Sequence, residues 1–327
     1  MVSSLAIDNR AACHSNESDT VLACCAFARQ KLEIGDYDGG VKALTRWWNL
    51  GGWPRHSGLT ARASAELLLM AGTLSGLIAS TKQIPGGQRP AEGLLNGSIA
   101  LFEQTQATVR ASEARTELAC CYFWQGLFDL ARAVLRASLD ALPEEQTEGR
   151  SVALIRLALV EHHAGRLHDA LRLLSEASSL VKGERPWIKG RFHLELATTL
   201  KDLALSEGQD KHFRGSLVNY EQALIEFEEI GNRRYIAIVE NNLGYLLLTL
   251  RRFDEAETHL QRAINLFEEF GDQVRGAQVK ETIAQLHIAS SHYEHADSAI
   301  RSALNTLEGS GEDALLAEAL TTQGIVM

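Results

Sequence analysis

A period of about 40 residues constrains this chain more than any other feature. Its clearest copy is ENNLGYLLLTLRRFDEAETHLQRAINLFEEFGD, Glu240 to Asp272. Leu243, Leu246, Leu247 and Leu250 recur at i, i+3, i+4 and i+7, the spacing of one helix face. After a short polar turn, Phe253, Ala256, Leu260, Ala263 and Phe267 trace a second helix. Gly231-Asn232 and Gly271-Asp272 punctuate the unit at its two ends. Glycine tolerates the left-handed position that closes a helix, and Asn or Asp caps the next one.

Small residues set the register of the copies. Gly244 lets the first helix approach the second, and Ala256 answers from the facing side, because helix axes about 8–10 Å apart leave no room for large side chains at the crossing. The Ala256 position is filled by Gly40, Ala91, Ala131, Ala170, Ser216 and Ala296 in the other copies. Successive spacings are 51, 40, 39, 46, 40 and 40 residues. The 46-residue interval holds LALSEGQDKH, expected to lengthen the helices or turn around Leu203 to Lys211 without interrupting the stack. The 51-residue interval holds NLGGWPRHSG and TKQIPGGQRP, read as two loops.

NNLGYLLLTLRRFDEAETHLQRAI resembles the tetratricopeptide repeat (TPR), with its Leu-Gly pair, an aromatic before the turn and two later alanines. ELACCYFWQGLFDLARAVLRASLDALP matches too, through Leu118, Tyr122, Gly126, Phe128, Ala131 and the closing Pro143. The resemblance covers nearly everything from about residue 20, departing in the first two units and at Ser216. It implies an all-α chain: a right-handed superhelical solenoid of TPR-like antiparallel helix pairs, each burying its apolar face against its neighbours. The expected organisation is a flexible N-terminus over 1–18 and a solenoid over 19–327. Approximate units are 21–50, 62–104, 112–143, 151–182, 190–230, 235–269 and 275–308, with a half unit at 313–327.

TPR geometry puts the first helices on the concave side and so identifies a ligand stripe. In the clearest unit it holds Asn241, Asn242 and Tyr245. Equivalent positions are Glu117 and Trp124; Arg156 and His162; Arg191, Glu195 and Lys201; and Glu281 and Gln285. Amides in such a groove can clamp a peptide backbone while charged residues select its side chains. Asn241-Asn242 could equally bond to the adjacent repeat. Trp47, Trp48 and Trp53 with Pro54 form either an aromatic pocket or a plug at the end of the solenoid.

Other chemistry finds little to stand on. A net charge of −10 argues against a phosphate-binding body, so no nucleic-acid contact is expected of this segment. With 45% hydrophobic and 23% charged residues the composition is globular, and no apolar run approaches the roughly 18 residues of a membrane span. The N-terminal stretch lacks the basic region and apolar core of a signal peptide, which leads to a cytoplasmic expectation. Cys13, Cys24-Cys25 and Cys120-Cys121 have no disulfide or metal spacing and read as helix packing. His162-His163 diverge on a helix and have no i+4 carboxylate, so no metal is expected. No nucleophile elbow, HExxH or phosphate loop is present, and PGGQRP lacks the Lys and following helix of one. No catalytic residue and no cofactor are expected.

FHLELATTLKDLA, VENNLGYLLLTLRRFDEAE and LLAEALTTQGI are similar to the TPR region of bacterial regulators that end in a Fis-type helix-turn-helix. That resemblance implies a sensory or protein-binding body whose DNA-binding domain is absent from this chain; the alternative is a free-standing adaptor that assembles a protein complex. Adding 40 to Gly244 twice gives Ala284 and Gly324, which leaves EALTTQGIVM inside the first helix of a further unit. The expectation is therefore of a longer protein. Leu320, Ile325 and Met327 would form an uncovered apolar face through which the chain becomes a homo-oligomer.

Overall fold

The computed structural model describes residues 2–326, with side chains from residue 17 onward. The first part of the chain contains α1 (Val2–Glu33), α2 (Tyr37–Leu44), α3 (Ala61–Thr81), α4 (Gln88–Gln104), α5 (Thr108–Trp124), α6 (Phe128–Ala141), α7 (Thr147–His163) and α8 (Leu167–Val181). The second contains α9 (Pro186–Glu207), α10 (Asp210–Glu229), α11 (Arg233–Thr249), α12 (Phe253–Glu269), α13 (Gln273–Ala289), α14 (Tyr293–Leu307) and α15 (Asp313–Val326). The fold is all-α, and no strand occurs among the described residues. Helices associate as sequential antiparallel pairs, TPR-fashion, with α15 packed on α13 and α14. The chain divides into two compact units, 1–188 and 189–327. The backbone is helix from Val2, and most of the stretch 1–18 expected to be flexible lies outside the residues whose side chains are described.

Small residues fix the spacing within each pair. Ala91, Ala131, Ala170, Ser216, Ala256 and Ala296 are all fully buried. Ser216 departs from the alanine pattern without leaving a polar group unpaired, since its hydroxyl donates to the Ala197 carbonyl at 2.8 Å. Ser98 and Ser138 do the same toward Ala65 and Ser112, at 2.8 and 2.9 Å. Asn232 and Asp272 cap α11 and α13 as their position after glycine suggests, accepting from the Tyr235 and Arg275 amides at 3.1 and 3.2 Å. Gly231 and Gly271 carry the positive φ of 68° and 65° that each turn needs.

The additional residues of the 46-residue interval go into helix length. α9 and α10 have 22 and 20 residues, against 17 in each of α11, α12 and α13.

Two sequence expectations are corrected in unit 1. Ala61–Thr81 is a 21-residue helix apolar enough to cross a membrane by length and composition, contrary to the expectation of no such run. Of its most apolar window, 83% is buried, because α1, α2, α4 and α5 all pack on α3. PGGQRP also does lead into a helix, since α4 starts at Gln88, though still without a lysine. Trp47 and Trp48 belong to the unit 1 core, with the Trp48 indole donating to the Gly52 carbonyl at 3.0 Å, while Trp53 is exposed. Two of the three tryptophans are therefore core residues.

Within each cysteine pair one thiol is buried (Cys25, Cys121) and its neighbour only partly so. Burial pushes the Cys25 thiol up to about 12 and raises that of Cys121 as well, so both remain protonated.

Candidate functional site

The first helices of unit 2 enclose a groove of about 710 Å³, within the size range of ligand pockets. Each helix contributes residues about one turn apart, so that they share a face. α9 supplies Lys201, Asp202 and Leu205; α11 supplies Asn241, Asn242 and Tyr245. Gln278, Glu281, Thr282, Gln285, Ile288 and Ala289 come from α13, and Glu318, Thr321, Thr322 and Ile325 from α15.

The groove's polar groups are partly organised. Glu281, on a buried position of α13, accepts from Thr322 Oγ1 and from Gln285 Nε2, each at 2.6 Å. The first of these bonds ties α15 to α13. Lys201 pairs with Asp202 at 2.8 Å and places its ammonium 5.0 Å from the centroid of the Tyr245 ring. Asn241 Oδ1 is buried and has no hydrogen-bond partner. Burial raises the Tyr245 phenol, and the charges of Asp202, Glu281 and Glu318 add to the rise. Burial, then the charge of Glu281, also raises the carboxyl of Glu318. Three carboxylates therefore act on one aromatic wall.

Of the twelve stripe residues read from the sequence, the structure brings Lys201, Asn241, Asn242, Tyr245, Glu281 and Gln285 into this groove. The other six lie elsewhere. Arg191 donates to Glu195 at 3.0 Å and to the Tyr235 hydroxyl, and its guanidinium lies 5.0 Å from the Tyr235 ring centroid. In unit 1, Arg156 donates to Glu117 at 2.7 Å and to the Thr116 carbonyl at 2.9 Å. Trp124 is exposed, its ring edge-on to Phe123 at 5.1 Å, and His162 lies 5.1 Å from the ring of His163. The charged residues among these six pair with one another across or along helices.

Sequence reasoning missed the α15 wall, although the period contained it. Adding 40 to Glu281 and Gln285 gives Thr321 and Ile325, both in the groove. Asp202, Gln278, Thr282 and Glu318 lie within one turn of positions on the stripe and carried no separate signal. Ile325 therefore lines the groove as well as being largely exposed, together with Leu320. Met327, the third member of the expected apolar face, lies outside the described residues. Among the described residues no group of three or more His, Cys, Asp or Glu side chains is placed to hold a metal ion.

A stack of sequential antiparallel helix pairs with small-residue crossings and a groove on the first helices defines an α-solenoid of the TPR class. Residues 235–309 match the tetratricopeptide repeat family. No curated protein sequence matches the chain.

Among solved structures, a Rap protein complexed with Competence and Sporulation Factor is similar over 97% of this chain and 85% of its own, with a TM-score of 0.63 and 15% identity. The STAND protein with a tetratricopeptide repeat sensor from Pyrococcus horikoshii is similar over 90% of this chain, with a TM-score of 0.60 and 15% identity. The APC/C hetero-tetramer Cut9–Hcn1 is similar over 78%, with a TM-score of 0.57 and 17% identity. The chain spans 43% and 42% of the lengths of these last two. At such identities the likeness is one of fold.

Proposed function

We propose that the groove of unit 2 binds an extended peptide segment and that the chain is the sensory or protein-interaction part of a bacterial regulator. The observation that carries this reading is the row of amides on successive first helices. Asn241 and Asn242 on α11 and Gln278 and Gln285 on α13 are primary amides, groups that pair with both the carbonyl and the N–H of a peptide backbone; one hydrogen of Gln285 is already given to Glu281. Tyr245 supplies an apolar wall with a polar tip. The Rap protein of similar fold was crystallised with Competence and Sporulation Factor, and the Pyrococcus horikoshii protein carries its repeats as a sensor; both uses of the fold support the reading. The output domain, Fis-type by the resemblance of the sequence, lies outside this chain.

A displayed peptide library selected on the full chain tests the groove. Selected peptides should lose binding to a variant carrying Asn241→Ala, Asn242→Ala and Tyr245→Ala, with helicity and Tm preserved. Equal binding to the triple variant would remove the groove from the function.

A further inference from the structure

The groove is unbalanced in charge. Its lining includes one cation, Lys201, against the carboxylates of Asp202, Glu281 and Glu318. Lys201 is committed to Asp202 at 2.8 Å. Among the described residues no Lys or Arg forms an ion pair with Glu281 or Glu318, so the charge toward α15 is uncompensated. These two carboxylates lie close together. Thr322 bonds Glu281, and Glu318 sits one helical turn before Thr322 on the same face of α15.

The hydrogen-bonding inventory leans the same way. An ionised carboxylate only accepts, and the buried Asn241 Oδ1 is an acceptor without a donor. The aromatic wall already seats a cation, because the Lys201 ammonium lies 5.0 Å from the Tyr245 ring centroid. An acidic side chain entering here would meet like charge, an apolar one would leave acceptors unpaired, and a neutral donor would leave the carboxylate charge unanswered. A cationic donor would satisfy both acceptors and charge.

We propose that the groove selects a basic side chain, the guanidinium of arginine or the ammonium of lysine, seated on Tyr245 and paired with Glu281 and Glu318. This rests on the reading of the groove as a peptide site and assigns the chemistry of what it accepts. Asn242 and the glutamines hold the backbone, while the two carboxylates set the preference. Arginine suits the site better than lysine, since its planar fork can engage a carboxylate through two bonds and stack on the ring.

The test uses the full chain and short fluorescein-labelled peptides whose central residue is Arg or Lys, Glu or Asp, or Gln, with free agmatine as a separate probe. The basic peptides should bind most tightly. Glu281→Gln with Glu318→Gln should weaken them by about tenfold or more, the scale of a lost charge-assisted hydrogen bond, with no fall in Tm. Glutamine at 281 can still accept from Thr322 and Gln285, so the variant removes charge without opening the α13–α15 tie. If neutral or acidic peptides bind as well or better, and lose binding in Asn242→Ala, the preference for a cation is overturned and the peptide site stands. If agmatine binds with the same glutamate dependence but no peptide does, the cation assignment stands and the peptide reading falls. Binding of none of the probes overturns both.

Discussion

Gly244 on α11 faces Leu260 on α12 so closely that a Cβ on the glycine would lie 2.6 Å from the leucine Cγ, with the Ala256 carbonyl 3.4 Å away. Gly72 stands in the same relation to Leu95 and Ala91, at 2.7 and 3.3 Å, in a unit whose small-residue positions look blurred in sequence. Alanine normally stabilises a helix interior relative to glycine by roughly 0.5–1 kcal/mol. Here overpacking wins, and Gly244→Ala should destabilise by about 1–2 kcal/mol. Gly276 on α13 is the control, because a Cβ there would meet nothing within 4 Å. Gly276→Ala should raise the Tm and Gly244→Ala lower it; the same sign for both would refute the packing argument.

Glu240 on α11 is fully buried and accepts from His259 Nδ1 and Arg262 Nη1, both on α12. Glu240→Ala removes both bonds and leaves a small void, for an expected loss of about 2–3 kcal/mol in urea denaturation. The Arg252–Glu255 pair at the start of α12 is exposed, and solvent screens it. Glu255→Ala should leave the urea midpoint unchanged. Equal shifts in the two variants would mean that burial is not what gives Glu240 its weight.

His287 lies near the rings of His292 and His295, at centroid distances of 6.1 and 5.4 Å. Burial holds its pKa below the ordinary 6.5; the charge of Glu257 opposes the shift and those of the two histidines add to it. The unfolded chain therefore takes up a proton before the folded one does. Stability present at neutral pH should be lost as pH falls below about 6.5 toward the folded pKa. In a series of Tm against pH, His287→Gln should flatten this acid-side decline relative to the parent chain. An unchanged slope would dismiss the histidine cluster as its source.

Glu318 has the opposite sign. With its carboxyl raised by burial and by Glu281, the folded state keeps a proton at pH values where the unfolded state has lost one. Stability should fall as pH rises from about 4.5 through the folded pKa, and Glu318→Gln should remove that decline and be the more stable protein near neutrality. Differential scanning calorimetry across acid to neutral pH reads both. A parent and variant with parallel profiles would show that Glu318 ionises without penalty.

The expectations that held rest on short-range patterns. The small residue at each crossing, the left-handed glycine and the cap after it occupy a few neighbouring positions, so Ala256, Gly231 and Asn232 could be placed without knowing their surroundings. α3 shows the limit of that reasoning. An apolar run reads alike whether lipid or protein surrounds it, and only α1, α2, α4 and α5 packed on Ala61–Thr81 make it a core helix.

The stripe shows a further limit. Helical phase alone puts Arg156, Arg191, Lys201 and Glu281 on one class of surface. Partners separate them, since Arg156 reaches Glu117 and Arg191 reaches Glu195 and Tyr235, while Glu281 is left to Thr322 and Gln285 on the groove wall. By itself the sequence determined the helices, their pairing, the small residues at their crossings and a list of side chains on the ligand face. Backbone hydrogen bonding and side-chain period settle these within a few turns of chain. Which listed residues meet around a cavity, which cancel one another's charge, and that α15 closes the wall with Glu318 and Thr322 were decided by tertiary structure. A long side chain bonds to whatever acceptor the neighbouring helix brings within reach, and that depends on how helices separated by about 40 residues of chain come to stack.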